Sequence, residues 1–177
     1  LRDLNVLASV AQDVRSVYDI MPTATIDDWS VVAARLAAVP AALRGYTETL
    51  REGIARGVTP ARRQVVEVAT QITRYIAVDG FFAEFVANAA PGEGQLPASL
   101  ARELADNANA ARVAYDALEA FLTTDLAPAA AETDAVGRDL YALHSRRFLG
   151  AAIDLDETYE WGLEELRRMV AEQTAIA

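Results

Sequence analysis

The segment LARELADNANAARVAYDALEAFL, residues 100–122, decides the fold of this chain. Its apolar positions recur at alternating intervals of three and four residues, which is the spacing of one face of an α-helix. These positions are Leu100, Leu104, Ala108, Ala111, Tyr115, Leu118 and Leu122. Proline disfavours helical geometry in the residue before it, so we predict that this helix, the longest in the chain, ends before Pro128.

Helical spacing continues on both sides of this segment. Apolar stripes of the same kind run over residues 4–18, 29–39, 40–54, 65–76, 81–86, 134–149 and 159–170. Pro40 is predicted to begin a helix, because proline is tolerated in the first turn but not in the interior. No segment alternates for long enough with the two-residue period of a strand. We therefore predict an all-α bundle of seven or eight helices, mostly antiparallel neighbours. It forms a single domain over residues 1–177 with a hinge at 90–97, where proline and glycine are concentrated.

Four of the predicted helices begin with residues that favour an N-terminus. Threonine and aspartate side chains accept hydrogen bonds from the unpaired N–H groups of the first turn, and proline needs no acceptor there. The predicted start residues are Thr25 with Asp28, Thr59 with Pro60, Thr133 or Asp134, and Asp154 with Glu157. The last pair belongs to an acidic cluster that also includes Asp156, Glu160, Glu164 and Glu165. The helix dipole explains the pair itself, because it favours acids in a first turn.

Composition excludes several classes of chemistry. The chain has no cysteine, and all 16 of its basic residues are arginine. Disulfides, thiolate metal sites, Schiff-base catalysis and the lysine of a phosphate-binding loop are therefore ruled out. The net charge of −10 predicts no binding to nucleic acid or to membrane surfaces. No apolar run reaches the ~18 residues that span a bilayer, and charges between Arg2 and Arg15 argue against a signal peptide, which favours the cytoplasm.

No residue of the chain is predicted to be catalytic or to bind a metal. A catalytic zinc site needs three protein ligands, and His144 is the only histidine. Its neighbours Tyr141 and Phe148 give it a largely apolar face, so we interpret it as a hydrogen-bonded structural residue. The acidic cluster is no calcium loop, because Tyr159 stands where the sharp turn requires glycine. The sequence has neither the Glu-x-x-His motifs of di-iron bundles nor a G-x-S-x-G element.

Two arginine pairs, Arg62-Arg63 and Arg146-Arg147, admit two interpretations. Guanidinium groups bind carboxylates in a bidentate fashion, which suits the C-terminus of a peptide. Adjacent residues of a helix, however, point about 100° apart, so each pair can instead contribute one ion-pairing group and one solvated group. The second interpretation is favoured.

Several short motifs resemble those of one bacterial family. They are VYDIMP at 17–22, DW at 28–29, RLAAVPAALRGY at 35–46, ARRQV at 61–65, DAVGRDLY at 134–141 and RFLGAAIDLDETYEWG at 147–162. In the order and spacing of these motifs, the chain resembles the family catalogued as domain of unknown function 885 (DUF885). The resemblance extends over nearly the whole chain.

This resemblance implies a zinc-dependent peptidase. Members of the family are longer than this chain and resemble gluzincin-type metallopeptidases, hydrolases whose active-site helix has a His-Glu-x-x-Pro-Gly-His-like motif. The present sequence has no such motif, so we expect a helical fragment that is inactive alone, has no cofactor, and belongs to a parent protein that binds zinc. If the fragment borders the cleft, the substrate-binding residues are expected to be Arg146, Arg147, Glu157, Tyr159 and Trp161. An arginine would bind a substrate carboxylate, and Tyr159 would donate a hydrogen bond to an oxyanion.

The expected partners follow from the same interpretation. They are the remainder of the parent chain and a peptide substrate, and apolar faces left exposed on a fragment would also favour a homodimer. An alternative of another class is a self-contained helical module for protein interaction or scaffolding. An enzyme complete in these residues, using carboxylate chemistry, is the least favoured because no such site closes.

Overall fold

The structure, a computed structural model, describes residues 1–92 and 94–176. With 73% of the chain in helices and no strand among these residues, the all-α prediction is confirmed. The chain divides into two compact units, the first over Leu1–Asp134 and the second from Ala135 onward. The single domain with a hinge at 90–97 stays a prediction, and Glu93 within that stretch lies outside the described residues.

An N-terminal helical segment precedes six helices in the described part of the chain. The segment is α-helical over Val10–Ser16 and continues as a 3₁₀ turn, Val17–Asp19. The helices are α1 (Ile26–Ala55), α2 (Arg62–Ile76), α3 (Phe81–Ala87), α4 (Ala98–Phe121), α5 (Arg138–Leu149) and α6 (Leu155–Ile176). The predicted number of seven or eight is therefore wrong. The first predicted helix is only this short segment. The two helices predicted before and after Pro40 form the single helix α1.

Pro40 does not separate two helices but lies inside α1. The helix begins at the predicted capping box, in which the Asp28 N–H donates to the Thr25 hydroxyl at 3.1 Å and the Thr25 N–H donates to the Asp28 carboxylate at 2.8 Å. An interior proline costs about 3 kcal/mol. Leu36 and Leu43 on either side of it are buried, and each contributes about 1.5–3 kcal/mol. Packing on both sides therefore offsets the loss.

Two other predicted boundaries are also wrong. Helix α2 begins at Arg62 rather than at Pro60, because the backbone of residues 60–62 pairs with Ala131. The Arg62 N–H donates to the Ala131 carbonyl at 2.8 Å. Helix α4 continues past Leu122 through a π-helical turn, Leu122–Leu126, and three further residues that include Pro128. A wider turn before a proline relieves the clash of its ring with the preceding turn.

The core of the first unit is built around α4. All seven residues of the predicted apolar stripe are buried, which confirms it. Helix α1 makes the main contact with α4 and runs in the same direction. Asn107 donates to the Ala33 carbonyl at 3.1 Å, and further along both helices the Arg51 guanidinium lies 5.1 Å from the centre of the Phe121 ring. The main helix pair is therefore parallel, whereas the prediction was of mostly antiparallel neighbours.

Helix α2 runs antiparallel to α4. The Tyr75 ring near its end lies 6.0 Å from the Tyr115 ring, while Arg62 at its start donates to the Ala127 carbonyl at 2.9 Å. No helix in residues 1–92 and 94–176 is long and apolar enough to cross a membrane.

The second unit consists of α5 and α6 and has no buried side chain among its described residues. Gly150 ends α5 in the left-handed conformation, with φ at 72°, and its N–H donates to the Arg146 carbonyl at 2.9 Å. Gly137 rather than Thr133 or Asp134 precedes α5, so that predicted cap is wrong. Asp154 does cap α6, as predicted, because its carboxylate accepts from the N–H groups of Asp156 and Glu157 at 2.9 and 3.1 Å.

Candidate functional site

The five residues predicted to contact substrate all lie in the second unit. Arg146 and Arg147 occupy the last turn of α5 and are exposed. Glu157, Tyr159 and Trp161 lie in the first two turns of α6 and are exposed as well, with 66% of Tyr159 and 62% of Trp161 accessible to solvent. All five side chains are therefore accessible for contact with another molecule.

Helix geometry places only some of these residues together. Glu157 and Trp161 are four residues apart and share one face of α6. Tyr159 is two residues from each, so its side chain points about 160–200° away, toward the stripe that includes Leu163 and Leu166. In the part of the chain that the structure describes, no hydrogen bond or ion pair joins any two of the five side chains.

The polar contact that joins α5 to α6 was missed by the sequence interpretation. The two terminal guanidinium nitrogens of Arg138 donate to the two carboxylate oxygens of Asp156, at 2.9 and 2.6 Å. The hydrogen bonds and the charge of Asp156 raise the pKa of Arg138, and those of Arg138 lower the pKa of Asp156. The D-x-x-E spacing of Asp154 and Glu157 predicts a helix cap. An ion pair between residues eighteen positions apart in the chain leaves no comparable local pattern.

The single histidine does not form a zinc site with its surroundings. His144 is exposed on α5 and has no hydrogen-bonded partner among the described residues, so its interpretation as a hydrogen-bonded structural residue is wrong. Across residues 1–92 and 94–176, no group of three or more histidine, cysteine or acidic side chains is arranged to hold a metal ion. The residues present therefore do not fit the zinc ion that the family resemblance implies.

The other arginine pair is engaged in ion pairs of the first unit. The Arg62 guanidinium contacts Glu132 at 2.5 Å, and Arg63 contacts Asp134 at 2.8 Å. These contacts hold the start of α2 against the chain segment that follows α4. Either arginine would have to break its ion pair in order to bind a ligand carboxylate.

An aromatic cluster in the first unit was not predicted as a site. The ring centres of Phe81 and Phe85 are 5.2 Å apart and stacked, Trp29 lies 5.5 Å from Phe85, and Tyr18 lies 5.6 Å from Phe85. The guanidinium of Arg15 lies 4.0 Å from the centre of the Phe81 ring. Such a cluster joins the N-terminal segment to α1 and α3.

Three polar atoms in this cluster are buried without a hydrogen-bond partner among the described residues. They are Arg15 Nε, Tyr18 Oη and Trp29 Nε1. A buried donor without an acceptor costs about 1–3 kcal/mol, so their concentration at one place is notable. Burial also raises the pKa of Tyr18 to about 12, although the charge of Arg35 opposes this shift.

A cavity of about 400 Å³ opens beside the cluster. Its walls include Trp29, Phe81 and Phe85, and its polar groups include Glu84 and Asn88. The two polar residues share the outer face of α3 with the two phenylalanines, because positions 81, 84, 85 and 88 follow helical spacing. The spacing of these four positions predicts only the shared helix face, since Trp29 reaches the cavity through the tertiary fold.

The comparison with protein families agrees with the resemblance seen in the motifs. The sequence profile described as "Bacterial protein of unknown function (DUF885)" matches residues 1–177. No curated protein matches the sequence. Because the match extends over the whole chain, this protein belongs to the DUF885 family of bacterial proteins.

Proposed function

We propose that this chain is the non-catalytic helical region of a zinc-dependent peptidase and forms one wall of its substrate cleft. The observation that best supports this is the second unit, in which both helices present apolar and charged side chains to solvent. A surface of this kind is typical of an interface or a binding cleft. The zinc ligands would belong to sequence other than residues 1–177, and no step of catalysis is assigned to this chain.

The exposed residues of the second unit suit contact with a peptide. A guanidinium group of Arg146 or Arg147 can bind a carboxylate through two charge-assisted hydrogen bonds. The Tyr159 hydroxyl can donate one hydrogen bond to a substrate oxygen, and the indole of Trp161 offers an apolar surface with an N–H donor. Glu157 on the same face as Trp161 would favour a basic side chain of the substrate.

Replacing Tyr159 by Phe in the full-length, zinc-loaded protein tests this proposal. Loss of one hydrogen bond to the substrate oxygen should lower kcat/KM for peptide hydrolysis about five- to tenfold without changing the bound zinc. Tyr141→Phe is the matched control, because Tyr141 is an exposed tyrosine of α5 outside the proposed set. An unchanged kcat/KM for Tyr159→Phe, with zinc retained, would remove this residue from the cleft.

A self-contained interaction module is the second candidate. It is favoured by the exposure of Phe148 and Ile176, at 91% and 86%, on helices that bury nothing in the described part of their unit. A module would use this surface to bind a partner protein or a second copy of itself. Light scattering that finds a single monomer at high concentration would argue against self-association, and Phe148→Asp should dissociate any dimer that forms.

A further inference from the structure

We propose that the groove between α1 and α4 binds an amphipathic helix of a partner protein, one with acidic residues along a flank of its apolar face. The groove has a volume of about 550 Å³ and is open to solvent along this parallel helix pair. It belongs to the first unit, and the inference does not depend on the peptidase proposal.

The α4 side of the groove is apolar and shallow. Ala110, Ala114 and Ala117 follow one another at helical spacing, and Val113 beside them is 53% exposed. Phe121 closes the far end, which makes the groove about 16 Å long, or about three helical turns. Because alanine side chains are short, the backbone of another helix can approach this wall closely.

The α1 side of the groove has the charged groups. Arg44 and Arg51 are exposed and lie seven positions apart on one helix face, a separation of about 10 Å along the axis. Arg44 has no ion-pair partner among the described residues. Arg51 donates to Glu48 at 2.6 Å through one nitrogen, which leaves other N–H groups of its guanidinium for a second acceptor. Two arginines against one glutamate make this wall complementary to acidic groups, although the chain as a whole is acidic.

The geometry of the groove favours a helix over an extended peptide. The backbones of α1 and α4 are paired within the helices, so the groove has no row of free N–H and C=O groups with which a strand could bond. A strand would also place two acids about 10 Å apart on opposite faces, because its side chains alternate. Residues seven positions apart in an α-helix share one face, at the same spacing as Arg44 and Arg51.

The chemistry of the partner helix follows from the two walls. Its apolar residues would cover the alanines and Val113, and two acids on its flank would pair with Arg44 and Arg51. Apolar anchors provide most of the affinity of such an interface, whereas the ion pairs at its rim select the partner and its orientation.

A designed peptide tests the groove in the full chain. The probe is an acetylated, fluorescein-labelled helix with leucines along one face and two glutamates seven positions apart on its flank. A second probe has glutamines at those two positions. We expect saturable fluorescence anisotropy for the glutamate peptide in the micromolar range, and about tenfold weaker binding of the glutamine peptide at low salt.

Two variants of the chain locate the contact. Arg44→Gln should weaken binding of the glutamate peptide at least about threefold and leave that of the glutamine peptide unchanged, because only the first can form the ion pair. Arg102→Gln, at an exposed arginine of α4 outside the groove, is the matched control and should change neither affinity. Val113→Asp should abolish binding of both peptides, because it places a charge in the apolar wall. Circular dichroism checks that all variants remain folded.

Three results would overturn the proposal. The first is no binding of the glutamate peptide, and the second is equal affinity for the two peptides. The third is a dimer of the chain alone, found by sedimentation and dissociated by Val113→Asp, since the occupant of the groove would then be a second copy.

Discussion

At the scale of single residues, two buried tyrosines of the first unit differ in whether the hydroxyl group has a partner. The Tyr115 hydroxyl donates to the Ala11 carbonyl at 2.8 Å and so ties the N-terminal segment to α4. The Tyr18 hydroxyl is equally buried, yet it has no acceptor in the described residues. The same functional group should therefore stabilise the fold at one position and destabilise it at the other.

Replacing each tyrosine by Phe should give opposite results. Tyr115→Phe should lower the free energy of unfolding by about 1–2 kcal/mol, because the Ala11 carbonyl loses its donor. Tyr18→Phe should leave it unchanged or raise it by about 1 kcal/mol, because no hydrogen bond is lost and a buried polar group is removed. Urea denaturation measures both, with exposed Tyr141→Phe as the control. Equal destabilisation by the two core variants would contradict the difference in their hydroxyl groups.

The buried tyrosines Tyr18 and Tyr46 should make the free energy of unfolding depend on pH in the alkaline range. Burial raises the pKa of Tyr18 to about 12, and that of Tyr46 also to about 12, from the usual value of 10.0 in an unfolded chain. The unfolded state therefore loses these protons first, and the free energy of unfolding should fall as the pH rises from about 10 to about 12. Denaturation curves across this range should show a smaller fall for Tyr18→Phe than for Tyr141→Phe. An identical fall in both would show that Tyr18 ionises normally.

At the scale of helices, local rules predicted the chain well where no distant contact opposed them. The threonine and aspartate at positions 25 and 28 form the capping box that their spacing indicates. Pro40 and Pro128 are predicted as boundaries, but packing of the apolar residues on both sides keeps Pro40 inside α1, and the π-helical turn before Pro128 accommodates its ring. Pro60 failed as a start because its backbone pairs with Ala131, a contact that only the tertiary fold creates.

The candidate sites show the same division between local and distant information. The helical spacing of Phe81, Glu84, Phe85 and Asn88 is visible in the sequence, whereas the approach of Trp29 to this face is not. The five predicted substrate contacts follow from the family resemblance and from the density of family-like residues around them. Helix periodicity places Tyr159 on a different face of α6 from Glu157 and Trp161, and this separation is visible in the sequence alone.

Restoring the missing backbone hydrogen bond in α1 should stabilise the first unit. Pro40→Ala provides an N–H group to the Leu36 carbonyl and removes the clash of the proline ring, at the cost of a more flexible unfolded chain. We expect the free energy of unfolding to rise by about 1–2 kcal/mol. Pro97→Ala, at the residue before α4, is the control and should change it little. A lower stability for Pro40→Ala would show that the helix needs the proline.

At the scale of the whole molecule, the two units differ in what holds them together. The first unit has a continuous apolar core that includes residues of all four of its helices. The second is tied by a bidentate ion pair between exposed residues, Arg138 and Asp156, and has no buried side chain among those described. Ion pairs between exposed side chains are screened by solvent and contribute little to stability. The free energy of local unfolding should therefore be much lower in the second unit.

Limited proteolysis can measure this difference directly, because the absence of lysine restricts trypsin to arginine sites. Cleavage proceeds through locally unfolded states, so its rate follows the free energy of opening. The first cuts in the isolated chain should fall after Arg146 and Arg147 in α5, well before those after Arg44 and Arg51 in α1, and mass spectrometry identifies each product. Both pairs of sites are exposed in folded helices, which makes them a matched comparison. If the α5 sites are as resistant as those of α1, contacts other than those within the second unit must stabilise it. Protection that grows with protein concentration would then identify these contacts as ones with a second copy of this chain.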